Sequence, residues 1–193
     1  MAGISGWPNP VLLQNCWAFR NGINYWGDTA FTGNGNGFKL GGNYVPAPHR
    51  VVNCVAFHNA ANGFDQNNNT AGQTLDNNTA WANGSANINL NHGTLTQGVH
   101  VLRNNLSIAG TVSVQSSATQ TTNSWQLITA AVSDVLSTDE SLALAARRDD
   151  GGLPETQFLR PAPGGRLMDR GTNIGTTYFG SAPDLGAYET PTW

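Results

Sequence analysis

Short apolar segments bounded by asparagine recur through the first half of the chain. The segment 15–21 (NCWAFRN) returns at 53–59 (NCVAFHN) and 77–83 (NNTAWAN), with a degenerate fourth copy at 104–110 (NNLSIAG). A second motif follows each of the first three copies, at 36–39 (NGFK), 62–65 (NGFD) and 87–89 (NIN). The apolar runs are too short for helices and alternate with Gly/Asn turns, which predicts short β-strands.

The spacing of the copies predicts how these strands are arranged. The copies begin at positions 15, 53, 77 and 104, and the first carries about 12 extra residues, at 23–34 (INYWGDTAFTGN). Without them, each repeat has a length in the twenties, which is typical of leucine-rich repeats or of parallel β-helix coils. The pattern Leu-x-x-Leu-x-Leu is missing, so the sequence predicts an all-β parallel β-helix, a solenoid.

Successive coils of such a solenoid lie about 4.8 Å apart, so equivalent residues form columns. One column places Lys39, Asp65 and Asn89 on neighbouring coils, and Cys16 and Cys54 share another. Their spacing would permit a disulfide, but stacked free thiols are favoured. Three further columns are predicted: an apolar one (Phe19, Phe57, Trp81, Ile108), a small-residue one (Ala18, Ala56, Ala80, Ser107) and an asparagine ladder (Asn15, Asn53, Asn77, Asn104).

After about residue 123 the repeat stops. Residues 133–147 show a weak helical periodicity, and the tail is rich in Gly and Pro. A β-helix exposes its core at each end and needs a cap. We predict a single domain over 1–193, with regular coils over about 12–123 and irregular coils and a C-terminal cap over 124–193.

Composition restricts the function. Charged residues make up 11% of the chain and the net charge is −3, which argues against a nucleic-acid partner. No apolar run approaches membrane-spanning length, and no secretory signal is visible. Of the 23 asparagines, 21 lie at or before Asn105, as an asparagine ladder would require.

Lys39 is the only lysine in the chain, beside eight arginines. It lies among small residues in the segment 35–42 (GNGFKLGG). A solvated surface lysine is the ordinary interpretation, and a catalytic base is the alternative.

The segments NCVAF, GNGFKLGG and NGFDQNN resemble the central coils of polysaccharide lyase family 9, pectate lyases with a right-handed parallel β-helix. The ending at 181–189 (SAPDLGAYE) is similar to the tail of many secreted β-helix proteins that act on polysaccharides. The resemblance therefore implies a right-handed helix and a secreted protein. It also implies that Lys39 is the catalytic base in a β-elimination of polygalacturonate (pectate). A lysine amine has a pKa of about 10.4, so an alkaline optimum is expected.

The resemblance also implies a calcium ion, held by aspartates in an upstream Asp-Asp-Gly-x-Asp segment. This sequence has no such segment, and Asp28 is the only acid before Lys39. The metal ligands are therefore unknown, and we expect the chain to begin after the metal-binding coils. In that case the first coil should be covered by residues 1–12 or by self-association with another chain.

Several residues are candidates for binding the polysaccharide. Arg20, His49 and Arg50 could bind uronate carboxylates, although residues of these types more often lie solvated on an exterior. Tyr25 and Trp26, in the long first-copy loop, could stack on sugar rings. Asp65 could contact Lys39, a metal or a sugar hydroxyl, or could serve only as a ladder residue paired with Lys39.

Two other functions remain open at this point. One is a non-catalytic β-helix that binds acidic polysaccharide or serves a structural role. The other is a hydrolase of the polygalacturonase type, which needs clustered carboxylates. The repeat region offers only Asp65 and Asp76 for that chemistry.

Overall fold

The computed structural model describes residues 9–190, in which short strands recur at every coil. The strands in chain order are β1 (Leu12–Gln14), β2 (Trp17–Phe19), β3 (Phe38–Lys39), β4 (Arg50–Val52), β5 (Val55–Phe57), β6 (Phe64–Asp65), β7 (Thr74–Asp76), β8 (Thr79–Trp81), β9 (Ile88–Leu90), β10 (Val101–Arg103), β11 (Leu106–Ile108), β12 (Val112–Val114) and β13 (Thr119–Thr121). A short helix, α1 (Ser124–Leu127), and two 3-10 helices, Val132–Asp134 and Glu140–Leu144, follow them.

The strands form three parallel sheets that the chain visits in turn. Their orders are β1-β4-β7-β10-β13, β2-β5-β8-β11 and β3-β6-β9-β12. Every third strand therefore pairs with the equivalent strand one coil later, which makes the fold a parallel β-helix. The fold class predicted from the repeat is confirmed.

The predicted apolar and small-residue columns are also confirmed. Phe19 pairs with Phe57, which in turn pairs with Trp81, and the small column runs alongside from Ala56 to Ala80. The rings of Phe19 and Phe57 stack with centroids 4.7 Å apart. The repeat period alone is enough to predict these pairs, because parallel coils in register place equivalent residues side by side.

The two columns face opposite ways. Ala56 and Ala80 point into the solenoid, where they pack with the interior residues Val51 and Leu75. The aromatic column points outward, against Phe158 and other buried residues of the C-terminal segment. The ring of Phe158 meets that of Phe57 edge-on at 4.7 Å. The segment after residue 123 therefore packs along a side of the solenoid and gives the chain a second core there.

The asparagine ladder exists, but not in the predicted column. Asn15, Asn53, Asn77 and Asn104 have φ values between 51° and 58° and form left-handed corners between the first two sheets. Asparagine tolerates this conformation better than most residues. The ladder lies one position later, where Asn78 Nδ2 donates to Asn105 Oδ1 at 3.0 Å and Asn105 Nδ2 donates to Asn123 Oδ1 at 2.8 Å.

The two cysteines continue this same column at its N-terminal end. Cys54 Sγ accepts from the Cys16 amide at 3.4 Å, and the Cys54 amide donates to Asn78 Oδ1 at 2.9 Å. Both thiols are free, as favoured from the sequence. Burial raises the pKa of the Cys54 thiol to about 12, so this thiol stays protonated.

The weak helical periodicity of residues 133–147 does not produce an α-helix there. Two separate 3-10 turns replace it, since this segment is shaped by packing on the solenoid rather than by its weak periodicity. None of the helices found between residues 9 and 190 has the length and apolar character of a membrane span.

Candidate active site

Lys39 lies on the outward face of β3, at the edge of the third sheet. Its neighbour Phe38 points inward and stacks on Phe64 with ring centroids 5.0 Å apart. Because side chains alternate along a strand, the Lys39 side chain faces solvent, and the residue is exposed. Lys39 is in register with Asp65, and Asp65 with Asn89, as the repeat predicted.

Asp65 is the centre of a hydrogen-bond network beside Lys39. Its Oδ2 accepts from Asn36 Nδ2 at 3.0 Å, and its Oδ1 accepts from Asn62 Nδ2 at 3.0 Å. His92 Nε2 lies 3.0 Å from the same Oδ1 and 2.9 Å from Asn89 Nδ2. The carboxylate is 4% exposed, so these polar neighbours stand in for water around a buried charge.

Gly37 and Gly63 precede the outward residues Lys39 and Asp65. A second asparagine ladder approaches the backbone so closely at these two positions that a side chain would not fit. A Cβ at Gly37 would lie 2.7 Å from Asn59 Nδ2, and one at Gly63 would lie 2.7 Å from Asn83 Nδ2. Asn59 Nδ2 donates to Asn83 Oδ1 at 2.8 Å inside the corner that precedes the third sheet. The sequence Asn-Gly-Phe therefore sets the corner that presents Lys39 and Asp65 outward.

The insertion between β2 and β3 ends at this site. Asn36, two residues after the insertion, bonds to Asp65. Tyr25 and Trp26 lie on the insertion with 57% and 83% of their surface exposed. Asn24 Oδ1 accepts from the amides of Trp26 and Asp28, both at 3.2 Å, which orders the turn that carries the two rings.

Arg20 lies on a different face from Lys39. Its guanidinium binds Glu140 of the C-terminal segment, and His58 Nδ1 lies 2.7 Å from the other oxygen of the same carboxylate. The hydrogen bond from Arg20 lowers the pKa of Glu140. Arg20 also lies over the Tyr25 ring at 5.7 Å. These contacts indicate that Arg20 anchors the C-terminal segment to the solenoid.

Arg50 belongs to the first sheet and shares a buried carboxylate with Arg103. Arg50 Nε donates to Asp76 Oδ2 at 3.0 Å, and Arg103 Nε donates to Asp76 Oδ1 at 2.7 Å. The Asp76 side chain is fully buried, whereas Arg50 is 47% exposed. Asp65 and Asp76 lie on different sheets, so they do not form the acid and base pair of a hydrolase.

His49 does not fit the predicted role in substrate binding. It is 1% exposed, and its Nδ1 accepts from the Val11 amide at 3.0 Å. His100 repeats this arrangement two coils later, accepting from the Gln73 amide at 3.0 Å, and burial lowers its pKa to about 4. Both rings satisfy buried amides at a corner of the solenoid, out of reach of a polymer.

Sequence reasoning missed three residues of the site, namely Asn36, Asn62 and His92. Asn36 and Asn62 stand three residues before Lys39 and Asp65 in the repeated motif, and this spacing was the available signal. His92 has no repeat equivalent, so nothing in the pattern pointed to it.

No group of three or more His, Cys, Asp or Glu side chains that could hold a metal ion occurs within residues 9–190. Asp65 offers a single carboxylate, and both of its oxygens already accept hydrogen bonds. The residues described around Lys39 therefore do not fit a calcium site, which typically takes six to eight oxygen ligands.

The coil architecture agrees with comparisons to known proteins. A family model described as "Pel9A-like, right handed beta helix region" matches residues 5–108. The chain belongs to this family. It is 50% identical over 186 residues to pectate lyase L of Dickeya dadantii, covering 94% of this chain and 43% of that protein.

Two solved structures resemble this chain in fold. The crystal structure of pectate lyase Pel9A matches with a TM-score of 0.89 and 49% identity, over 94% of this chain and 46% of that one. A rhamnogalacturonan lyase matches with a TM-score of 0.68 and 27% identity, over 80% and 42%. The chain thus spans less than half the length of these relatives.

Proposed function

We propose that this chain acts on polygalacturonate as a pectate lyase-like protein, with Lys39 as the base of a β-elimination. The observation that carries the proposal is the exposed lysine on the outward face of β3, in a β-helix of this family. Relatives named pectate lyase support the substrate class.

In the proposed reaction the neutral amine of Lys39 removes the proton from the carbon next to the uronate carboxylate. The electron pair of that C–H bond forms a double bond to the neighbouring carbon. The glycosidic C–O bond breaks, and its oxygen leaves and takes a proton from solvent. Because only a deprotonated amine can accept this proton, we expect the rate to rise toward alkaline pH.

The asparagine-rich surroundings support binding of a hydroxyl-rich ligand near the base. Asn36, Asn62 and Asn89 surround Asp65 on the coil next to Lys39. Trp26 and Tyr25 offer exposed rings on the adjoining insertion. Arg50, which is half-exposed on the first sheet, is a further candidate for binding a uronate carboxylate.

Calcium is the cofactor that the resemblance implies, and the residues described around Lys39 do not supply its ligands. We therefore assign no step of the proposed reaction to the ion. The assay below, with calcium or with a chelator, measures its effect on the rate.

The second candidate function is a module that binds acidic plant polysaccharide without cleaving it. The lack of a cluster of acidic ligands within residues 9–190 favours this alternative. Both candidates take the same ligand, and both place the protein outside the cell, where that ligand occurs.

The test follows the ultraviolet absorbance of the unsaturated product on polygalacturonate, with calcium or with a chelator, from neutral to alkaline pH. Lys39→Ala should lower the rate by about 10²- to 10⁴-fold, since it removes the general base. Lys39→Arg should lose activity similarly, because a guanidinium stays protonated at working pH. Arg170→Ala, which removes an exposed cation elsewhere, should retain the wild-type rate.

A product signal that survives Lys39→Ala would remove Lys39 from the mechanism. A wild-type protein that binds polygalacturonate but forms no product under any of these conditions would support the binding module.

A further inference from the structure

A small open cavity lies at the corner that follows β3, close to the Lys39 strand. Its volume is about 230 Å³. The lining residues are Tyr44, Asn68, Thr70, His92, Gly93 and Thr94. A cavity of this size suits a single sugar ring rather than a whole chain.

Tyr44 is held at this cavity by a strained backbone. Asn43 and Tyr44 have φ values of 54° and 57°, a left-handed conformation that is unfavourable for tyrosine. Hydrogen bonds fix the turn: the Val45 amide donates to Gly42 O at 3.2 Å, and Thr70 Oγ1 donates to Tyr44 O at 3.3 Å. The ring gains little burial in return, because Tyr44 is 71% exposed.

His92 connects the cavity to the candidate active site. Its ring lines the cavity and also lies 3.0 Å from the Asp65 carboxylate, which is in register with Lys39. Its backbone is fixed to Gln66, whose Oε1 accepts from the His92 amide at 3.1 Å. Tyr44 follows Lys39 by five residues, which span at most about 18 Å. The cavity is therefore within reach of one oligosaccharide that also contacts Lys39.

The chemistry of the lining selects the class of ligand. It combines an exposed tyrosine ring with two threonine hydroxyls, an amide and an imidazole, and it contains neither Arg nor Lys. Such a lining stacks on a pyranose and bonds its hydroxyls, without a fixed positive charge for a carboxylate.

We infer that Tyr44 and His92 form a sugar-binding subsite for a galacturonate unit next to the one presented to Lys39. This inference rests on the proposed function for its ligand. The subsite recognises the ring and hydroxyls of the sugar. Methyl esterification of that unit should therefore leave the contribution of Tyr44 to the binding affinity unchanged.

The test is calorimetric titration with hexagalacturonate and with trigalacturonate. Tyr44→Ala should weaken hexamer binding about tenfold, because it removes the stacking ring. Tyr44→Phe keeps the ring and should stay within about twofold of wild type. Phe179→Ala removes another exposed ring, on the C-terminal segment, and should bind like wild type. Trimer binding should depend less on Tyr44 than hexamer binding.

The outcomes separate this subsite from the lyase function. If wild type forms unsaturated product and Tyr44→Ala binds the hexamer equally well, the subsite is wrong and the lyase function stands. If binding depends on Tyr44 but no product forms, the subsite stands and the lyase function falls. If wild type does not bind hexagalacturonate, both are wrong. Equal losses in Tyr44→Ala and Tyr44→Phe would also overturn ring stacking.

Discussion

At the scale of single residues, the two aspartates of the repeat region differ in their partners. Asp65 accepts from asparagine amides and lies beside His92, next to Lys39. Asp76 is enclosed by the guanidiniums of Arg50 and Arg103. Asp65 is therefore buried directly beneath the outward surface beside Lys39, whereas Asp76 holds three successive coils together.

Replacing Asp76 with Asn should destabilise the protein by about 2–4 kcal/mol, since it removes a buried charge and leaves two guanidiniums facing each other. Urea unfolding followed by circular dichroism measures the difference. Asp150→Asn breaks an exposed pair with Arg148 and should cost at most about 1 kcal/mol. Equal costs for both variants would contradict this account of Asp76.

At the scale of the structural element, the coil corners decide which polar residue enters the interior. Where two asparagines stand together, as at Asn77 and Asn78, the first takes a left-handed corner and the second joins the ladder. Asn87 also joins an asparagine ladder, at the corner before the third sheet. It takes the place of the motif glycine, and its own side chain accepts from Asn83 Nδ2 at 2.9 Å.

Asn105→Ala should cost about 2–4 kcal/mol, because the amide lies in the middle of the ladder and its loss leaves buried polar groups without partners. Asn105 accepts from Asn78 and donates to Leu75 O and Asn123. Asn91→Ala removes an exposed amide bonded to Ser113 and serves as the matched control. Unfolding free energies that agree within error for the two variants would rule out the ladder as a source of stability.

At the scale of the whole molecule, the C-terminal segment completes the fold by covering the outward aromatic column. Phe158 meets Phe57 and Trp81 edge-on, and Leu185 and Leu167 are fully buried in the same cluster. Residues 1–8 lie outside the described part of the chain, so the expected cover by residues 1–12 and the self-association at the first coil stay predictions.

The stability of the C-terminal segment should depend on the protonation of Glu189. Burial, followed by the charge of Asp184, raises the pKa of Glu189 to about 7, so the folded state favours the protonated acid. This stabilising contribution is fully present below the ordinary pKa of about 4.3 and is lost as pH rises through 7. Glu189→Gln removes the titration. Its free energy of unfolding should therefore increase relative to that of wild type as the pH is raised from 5 to 8.

Urea midpoints of both proteins at the two pH values measure this change, and groups that titrate in both proteins cancel in the comparison. Glu155→Gln alters an exposed glutamate and should show the wild-type pH dependence. A constant difference between Glu189→Gln and wild type across the pH range would refute the assignment.

The sequence by itself determined the coil period, the columns of paired residues and the position of Lys39 one coil before Asp65. This was sufficient because parallel coils in register convert a repeat directly into neighbours. Only the tertiary structure decided that the aromatic column faces outward, that the ladder runs through Asn78 and Asn105, and that His92 reaches Asp65. These features depend on how each corner turns and on contacts between distant segments, which a repeat pattern does not encode.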